Sequence, residues 1–332
     1  MTISSNPVRL AVIGCGRMAS ELAQRSIRLE RATIAAIHDI DAEVMANRAR
    51  EFGAEVAPDL AALARREDID AFLVGSPPLH HRANVLAVAA AGKPIYCEKP
   101  LCTTVSSCDE MIATCRAHGA KLFVGQVLRL FPLFWKSREV IESGHIGTPR
   151  VISIARTGRG KYFGSGWRAS FAETGGQLLE VNSHELDYML SLMGDAVTVY
   201  AQGRNLNGFS DYDDALFVQV TFKSGAIGLL HSSNSSPVGE YRVHIQGTEG
   251  NLLHGGFGGE LKYRSFLSEQ ATVVPMADLA DSPNPYDWEL TSFFDWVTSD
   301  IPPLFTGETG RANVALAESA YRSIISGVPE SV

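Results

Sequence analysis

The chain has 332 residues, 45% of them hydrophobic, with 29 Lys and Arg against 37 Asp and Glu for a formal charge of −8. That length provides one large domain or two ordinary ones with ample core, and a charged fraction of 20% excludes both disorder and membrane embedding. The negative balance, without a dense Lys/Arg cluster, excludes nucleic acid as an expected partner.

The polar stretch Met1 to Pro7 opens neither a signal peptide nor a membrane span, so a cytoplasmic location with no membrane partner is expected. Short β-branched runs then alternate with amphipathic stretches as far as Gln126. The pattern predicts strands at Val8–Ile13, Thr33–Ile37, Ala71–Val74, Pro94–Cys97 and Lys121–Val124, and helices at Arg17–Leu29, Asp41–Phe52, His81–Ala91 and Thr104–His118. Near-continuous apolar strands separated by helices predict a parallel sheet covered on both faces.

The period changes after Gln126. A helix is predicted over Pro132–Ser143 and a strand over Pro149–Thr157. Alternating runs follow at Thr198–Gly203, Ala215–Phe222, Ala226–Ser233 and Arg242–Gly247, with turn signals between them, and read as an antiparallel meander. Beyond Asn284, helices at Tyr286–Thr298 and Thr309–Ile325 flank a Pro302-Pro303 turn. The expected architecture is an α/β Rossmann domain with a doubly wound parallel sheet (1–126), an α+β domain with a large, mainly antiparallel open sheet (127–284), and a C-terminal helical return (285–332).

Gly14-Cys15-Gly16-Arg17-Met18-Ala19 spells G-x-G-x-x-A directly after the first strand and at the start of a helix. There the first glycine permits the tight turn, the second admits a pyrophosphate to the backbone, and the small Ala19 lets helix pack on strand. Asp39, 20 positions after Ala19 and at the end of the second strand, is placed to bond the ribose hydroxyls of a dinucleotide. Its carboxylate would repel a 2′-phosphate, so NAD is expected rather than NADP. Asp41, just ahead of the helix, reads as its N-cap.

Cys97, Cys102, Cys108 and Cys115 are five, six and seven positions apart, which matches no zinc or redox spacing, and His231, His244 and His254 show no ligand-like pattern. Buried, reduced thiols and no metal are expected. No G-x-S-x-G elbow occurs, which argues against acyl transfer.

Further segments carry a resemblance. Ser76-Pro77-Pro78-Leu79-His80-His81, the run Gly92-Lys93-Pro94-Ile95-Tyr96-Cys97-Glu98-Lys99-Pro100-Leu101, Gly166-Trp167-Arg168, and Gly175-Gly176-Gln177-Leu178-Leu179-Glu180-Val181-Asn182-Ser183-His184-Glu185-Leu186-Asp187 resemble, in that order, the glucose–fructose oxidoreductase, inositol dehydrogenase and rhizopine-catabolism (Gfo/Idh/MocA) family. Asp287-Trp288-Glu289-Leu290 and Ala320-Tyr321-Arg322-Ser323 extend the likeness to nearly the whole chain. By that resemblance Lys99 and His184 correspond to the family's catalytic lysine and histidine, and Glu180 stands where many members have aspartate. Asn182 and Gln177 replace common glycines.

The residues themselves agree with this. Lys99 follows a strand of the nucleotide domain, where ligands of open α/β sheets bind, and its ammonium can stabilise a developing alkoxide. On one helix expected from Gly176, Leu179, Leu186, Leu190 and Met193 form an apolar stripe, while Glu180, His184 and Asp187 share a flank at i, i+4 and i+7. His184 can take a hydroxyl proton near neutral pH.

Cofactor contacts are expected from Gly14, Cys15, Gly16, Arg17, Met18 and Asp39, and by resemblance from Ser76, Pro77, His81, Glu98, Lys99 and Gln126. Substrate contacts are expected from Lys99, Trp167, Arg168, Glu180 and His184. The implied function is an NAD-dependent oxidoreductase acting on a secondary hydroxyl or ketone of a sugar, inositol or related polyol, forming a homodimer or homotetramer through the C-terminal sheet. Two other readings fit the same fold: a redox-assisted glycosidase that keeps its NAD, and a dinucleotide-sensing regulator without turnover.

Overall fold

The computed structural model describes residues 6–159 and 165–332. Two compact units emerge, one running to Gln126 and taking in Tyr286–Val314, the other made of Val127–Pro285 and Ala315–Val332.

The first unit is built on six parallel strands, β1 (Val8–Ile13), β2 (Ala32–His38), β3 (Glu55–Val56), β4 (Ala71–Val74), β5 (Ile95–Glu98) and β6 (Leu122–Gly125), in the order β3-β2-β1-β4-β5-β6. Connecting helices are α1 (Arg17–Arg28), α2 (Ala42–Phe52), α3 (Leu60–Ala64), α4 (Pro78–Ala89) and α5 (Val105–Ala117). The short β3 and α3 escape the apolar pattern, since both residues of β3 are exposed. Helix α4 begins three residues ahead of its predicted start because Pro78 has its ring-fixed φ at the first helical position, where no N–H is needed. Strand register pairs Ile13 with Val74, Val74 with Cys97 and Glu98 with Gly125. Gly14, Ser76, Lys99 and Gln126 therefore follow strand ends along one carboxyl edge, and the order reverses between β1 and β4, where such sheets take their ligands.

Helix α10 (Pro285–Ser299) belongs to this unit. Phe293 meets Tyr96 and Phe123 edge-on, with centroids 5.6 Å apart in both pairs, and Phe305 joins Phe123 at 5.8 Å. Arg25 pairs with Asp287 at 2.8 Å and Arg31 with Asp295 at 2.7 Å, while the Tyr96 hydroxyl donates to Glu289 at 2.7 Å. The aromatic side chains of β5 and β6 thus lose their water to a segment nearly two hundred residues later in the chain.

The second unit carries nine strands: β7 (Pro149–Arg159), β8 (Ala196–Arg204), β9 (Ala215–Phe222), β10 (Ile227–Ser233), β11 (Ser235–Gly247), β12 (Gly250–His254), β13 (Glu260–Ser265), β14 (Thr272–Pro275) and β15 (Glu330–Ser331). Their order is β14-β13-β12-β11-β7-β10-β9-β8-β15. The expected simple meander is corrected here: β7 lies between β10 and β11, parallel to the first and antiparallel to the second. Only Asn234 separates β10 from β11, so these two flank β7 instead of forming a hairpin with each other. One face buries Ile152, Ile154, Val218, Val220, Leu230, Val243 and Ile245, and the other leaves Phe217, Ile227 and Leu229 exposed.

The helices of this unit are α6 (Pro132–Glu142), α7 (Phe171–Thr174), α8 (Gln177–Glu180), α9 (Ser183–Met193) and the second half of α11 (Gly307–Ser326). The single helix expected from Gly176 is two, interrupted at Val181 and Asn182, and Asn182 lies at φ −99°, ψ 5°. Asparagine favours such a boundary because its short amide competes with the helical backbone bonds. No helix among the described residues is long and apolar enough to cross a membrane.

Asp41 accepts from the Glu43 and Val44 N–H groups at 2.9 and 3.1 Å and is the N-cap of α2. Asp41→Ala is expected to cost about 1 kcal/mol, read as a lower melting temperature, with NAD affinity by fluorescence titration unchanged.

Candidate active site

In the first unit the glycine-rich turn joins β1 to α1. Gly14 adopts φ +77°, and a side chain there would place its Cβ 2.5 Å from the Ser76 backbone nitrogen, so both conformation and space demand glycine. Cys15 is buried, and burial together with nearby Asp39 pushes its thiol up to about 12. It is an inert part of the turn. Gly16 is the N-cap of α1 with no side chain capping it, which leaves the helix terminus suited to a phosphate. Arg17 and Met18 begin that helix, and Ala19 lies fully buried where a Cβ on Gly75 would meet its own at 2.6 Å.

Asp39 accepts from the Cys15 N–H at 2.6 Å and the Asp41 N–H at 2.9 Å. The same carboxylate thus shapes the turn from β2 while keeping lone pairs for further donors. Ser76 accepts the Asn84 amide on its hydroxyl at 2.9 Å, and Pro77 is the N-cap of α4. His81 is fully buried, one ring nitrogen 2.7 Å from the Ser76 carbonyl and the other 2.9 Å from that of Pro100. Burial pushes its pKa down, and its visible role is to tie the loops after β4 and β5 together. Glu98 accepts from the Lys99 N–H at 3.1 Å, and the Lys99–Pro100 peptide is cis. Lys99 itself is half-buried directly beyond β5. Gln126, 3% exposed at the end of β6, has a carboxamide oxygen with no hydrogen-bond partner among the described residues.

A glycine turn, an uncapped helix terminus, an acid at the end of β2 and an orphaned buried amide oxygen together fit a dinucleotide. All five cysteines are free and buried. Among the described residues no group of three His, Cys, Asp or Glu side chains could hold a metal ion.

In the second unit Gly175 and Gly176 precede α8. Gly176 has φ +77°, and a Cβ there would lie 2.8 Å from the Phe171 ring, with the Tyr321 hydroxyl also in its way. That hydroxyl accepts from the Leu178 N–H at 2.9 Å, which fastens α8 to α11. Glu180 closes α8, only 7% exposed, and accepts from Arg168 Nε at 2.8 Å. The Arg168 guanidinium lies over the Trp167 ring, 4.1 Å from its centroid, and the Tyr212 hydroxyl donates to the Arg168 carbonyl at 2.6 Å. Trp167, Arg168 and Glu180 therefore form one group. His184 lies half-buried in the first turn of α9.

Asp187 does not share an open flank with Glu180 and His184. The break at Asn182 removes the common helical register, and Arg129 takes both carboxylate oxygens of Asp187, Nε at 2.6 Å. Asp187 is 1% exposed. Burial pushes its carboxyl up against the pull of Arg129.

A buried network not anticipated from the sequence secures the same break. Glu185, fully buried, accepts from Arg156 Nη1 at 2.9 Å, the Tyr241 hydroxyl at 2.5 Å and Asn182 Nδ2 at 2.9 Å. Arg156 also donates to the Val181 carbonyl at 2.9 Å. The available signal was Arg156, the one charge inside the apolar strand Val151–Thr157.

Residues 8–126 match the oxidoreductase family with an NAD-binding Rossmann fold, and residues 134–253 match the GFO/IDH/MocA C-terminal domain. The chain belongs to the Gfo/Idh/MocA family. Among similar proteins, a 2,7-anhydro-N-acetylneuraminate hydratase of Mediterraneibacter gnavus is 32% identical over 74% of this chain and 66% of its own length. A myo-inositol 2-dehydrogenase of Thermotoga maritima is 28% identical over 96% of each chain. The WlbA dehydrogenase of Bordetella pertussis, solved with NADH and UDP-GlcNAcA, superposes with a TM-score of 0.89 at 22% identity, over 100% of this chain and 99% of that one. The protein is thus an NAD-dependent oxidoreductase of this family.

Arg129→Ala leaves the Asp187 carboxylate buried without its cation and is expected to destabilise the second unit by about 3–5 kcal/mol, measured by chemical denaturation. The double variant Arg129→Leu/Asp187→Leu should recover most of that loss.

Proposed function

We propose that the enzyme interconverts a secondary hydroxyl and a ketone on a sugar, inositol or related polyol. The observation that carries the reading is the presence in one chain of Lys99, on the carboxyl edge of the nucleotide sheet, and of His184 and Glu180, on the glycine-bounded segment of the second unit. NAD, when bound, supplies the hydride acceptor or donor. Gly14, Gly16 and the start of α1 hold its phosphates, Asp39 its ribose, and Gln126 offers a buried acceptor to its remaining donors.

Lys99 holds the reacting oxygen, its ammonium stabilising negative charge as the C–H bond breaks. His184 takes the hydroxyl proton in oxidation and returns it in reduction. Glu180, oriented by Arg168, accepts from a neighbouring substrate hydroxyl, and Trp167 offers an apolar ring beside a sugar face. The Asp39 carboxylate supports NAD over NADP, since a 2′-phosphate beside it would meet like charge.

Lys99→Met and His184→Ala should each lower kcat by at least about 100-fold while leaving the Kd for NAD within a factor of about two. Absorbance of NADH, followed with free inositols, aldoses and sugar acids and with NAD and NADP in parallel, reads both outcomes. Wild-type turnover in either variant overturns the assignment. A second reading, in which NAD ends each cycle in its starting state, is favoured by the 32% identity to the hydratase. NADH accumulation with free polyols counts against it; conversion of an anhydro sugar or glycoside without net NADH supports it.

The open sheet face is proposed to join copies of this chain. Phe217 is 62% exposed and stacks on His231 at 4.3 Å and 8° across the β9–β10 pair, beside Leu229 and Ile227, a patch that water disfavours. Phe217→Asp should lower the mass seen in sedimentation velocity from dimer or tetramer toward monomer; an unchanged mass removes this face from the assembly.

A further inference from the structure

The direction of every proton along one buried chain in the second unit is fixed by Glu185. Its side-chain oxygens accept from Arg156, Tyr241 and Asn182 Nδ2, so Asn182 turns Oδ1 to the other side. Ser232 then donates its hydroxyl proton to Asn182 Oδ1 at 2.5 Å and accepts from Gln177 Nε2 at 2.7 Å. Gln177, Asn182 and Ser232 are all 0% exposed. The chain therefore ends on Gln177 Oε1, an acceptor with no partner among the described residues.

Gln177 lines a small, partly open space of about 10 Å³ together with Asn207, Phe209, Ser210, Tyr212, Asp214 and Asn234. Asp214 is 2% exposed, and its oxygens accept only the backbone N–H groups of Leu206 and Asn207, at 2.9 and 3.0 Å. No Lys or Arg among the described residues is paired with it. The hydroxyls nearby are committed elsewhere: Ser210 donates to the Tyr212 carbonyl and Tyr212 to that of Arg168. Asn207 Nδ2 donates to Ser235. The space thus places the unpartnered Gln177 acceptor beside a buried carboxylate whose donors are two backbone N–H groups and no cationic side chain, a setting that favours a bound cation.

We propose that this space is a binding site for one monovalent cation, K⁺ or Na⁺, held by Gln177 Oε1 and the Asp214 carboxylate with water completing its shell. A single carboxylate among neutral amides matches the charge of a monovalent ion, whereas Mg²⁺ and Ca²⁺ sites gather more carboxylates. The ion ends the Gln177–Ser232–Asn182 chain and so fastens the segment that carries Glu180 and His184.

The test is thermal unfolding of the full chain in KCl, NaCl and choline chloride at equal ionic strength. An alkali ion should raise Tm by about 3 °C or more over choline, saturably with concentration, and Asp214→Asn should abolish the difference. Equal Tm in all three salts, or a difference that survives Asp214→Asn, overturns the site. Should Asp214→Asn fail to fold, wild-type crystals grown in RbCl decide: an anomalous peak beside Gln177 and Asp214 supports the site, and a water there refutes it.

Discussion

A carboxylate taken out of water has to be given back the donors it lost, and in the second unit Glu185 sets that condition. Arg156, Tyr241 and Asn182 satisfy it from two strands and a helix start. Because Arg156 also bonds the Val181 carbonyl, the solution to one buried charge fixes the interruption that places Glu180 and His184 on different helices. Removing any one partner would leave the charge exposed to an apolar interior, so the arrangement is all-or-none. A continuous helix would have put Glu180, His184 and Asp187 on one face; the electrostatics of Glu185 prevent it.

The first unit meets a different constraint. Parallel strands present their carboxyl ends together, and the backbone groups there must find partners outside the ladder. His81 supplies contacts to two of the loops and Asp39 to a third. The edge is held by side chains from neighbouring loops, which leaves the N-terminus of α1 without a cap and open to phosphate. Binding capacity here is the residue of incomplete self-satisfaction, confined to one edge.

Much of this was legible in the sequence because it depends on short-range rules. The turn at Gly14–Ala19 declares itself through φ and size, Asp41 through capping chemistry, and the strands of both sheets through their periods. Asn182 carried a local sign of the helix break, but its force came from Glu185, Ser232 and Arg156, whose meeting depends on three-dimensional closure. The same holds for Asp187, which looked like a member of a polar row until Arg129, 58 positions away, claimed it. The strands β12 to β14 are short, with exposed and polar positions that blur alternation. The insertion of β7 between β10 and β11 leaves no trace in any local window.

The docking of α10 has a temporal consequence. The aromatic surface of β5 and β6 is made by residue Gly125, yet Phe293 and Phe305 are needed to cover it. During synthesis the nucleotide-binding unit therefore waits, with an apolar face uncovered, while strands β7 to β14 of the second unit are translated. The earlier unit is finished only after most of the later one has been made, and a truncation ahead of Tyr286 would strand it unfinished however intact its Rossmann motif.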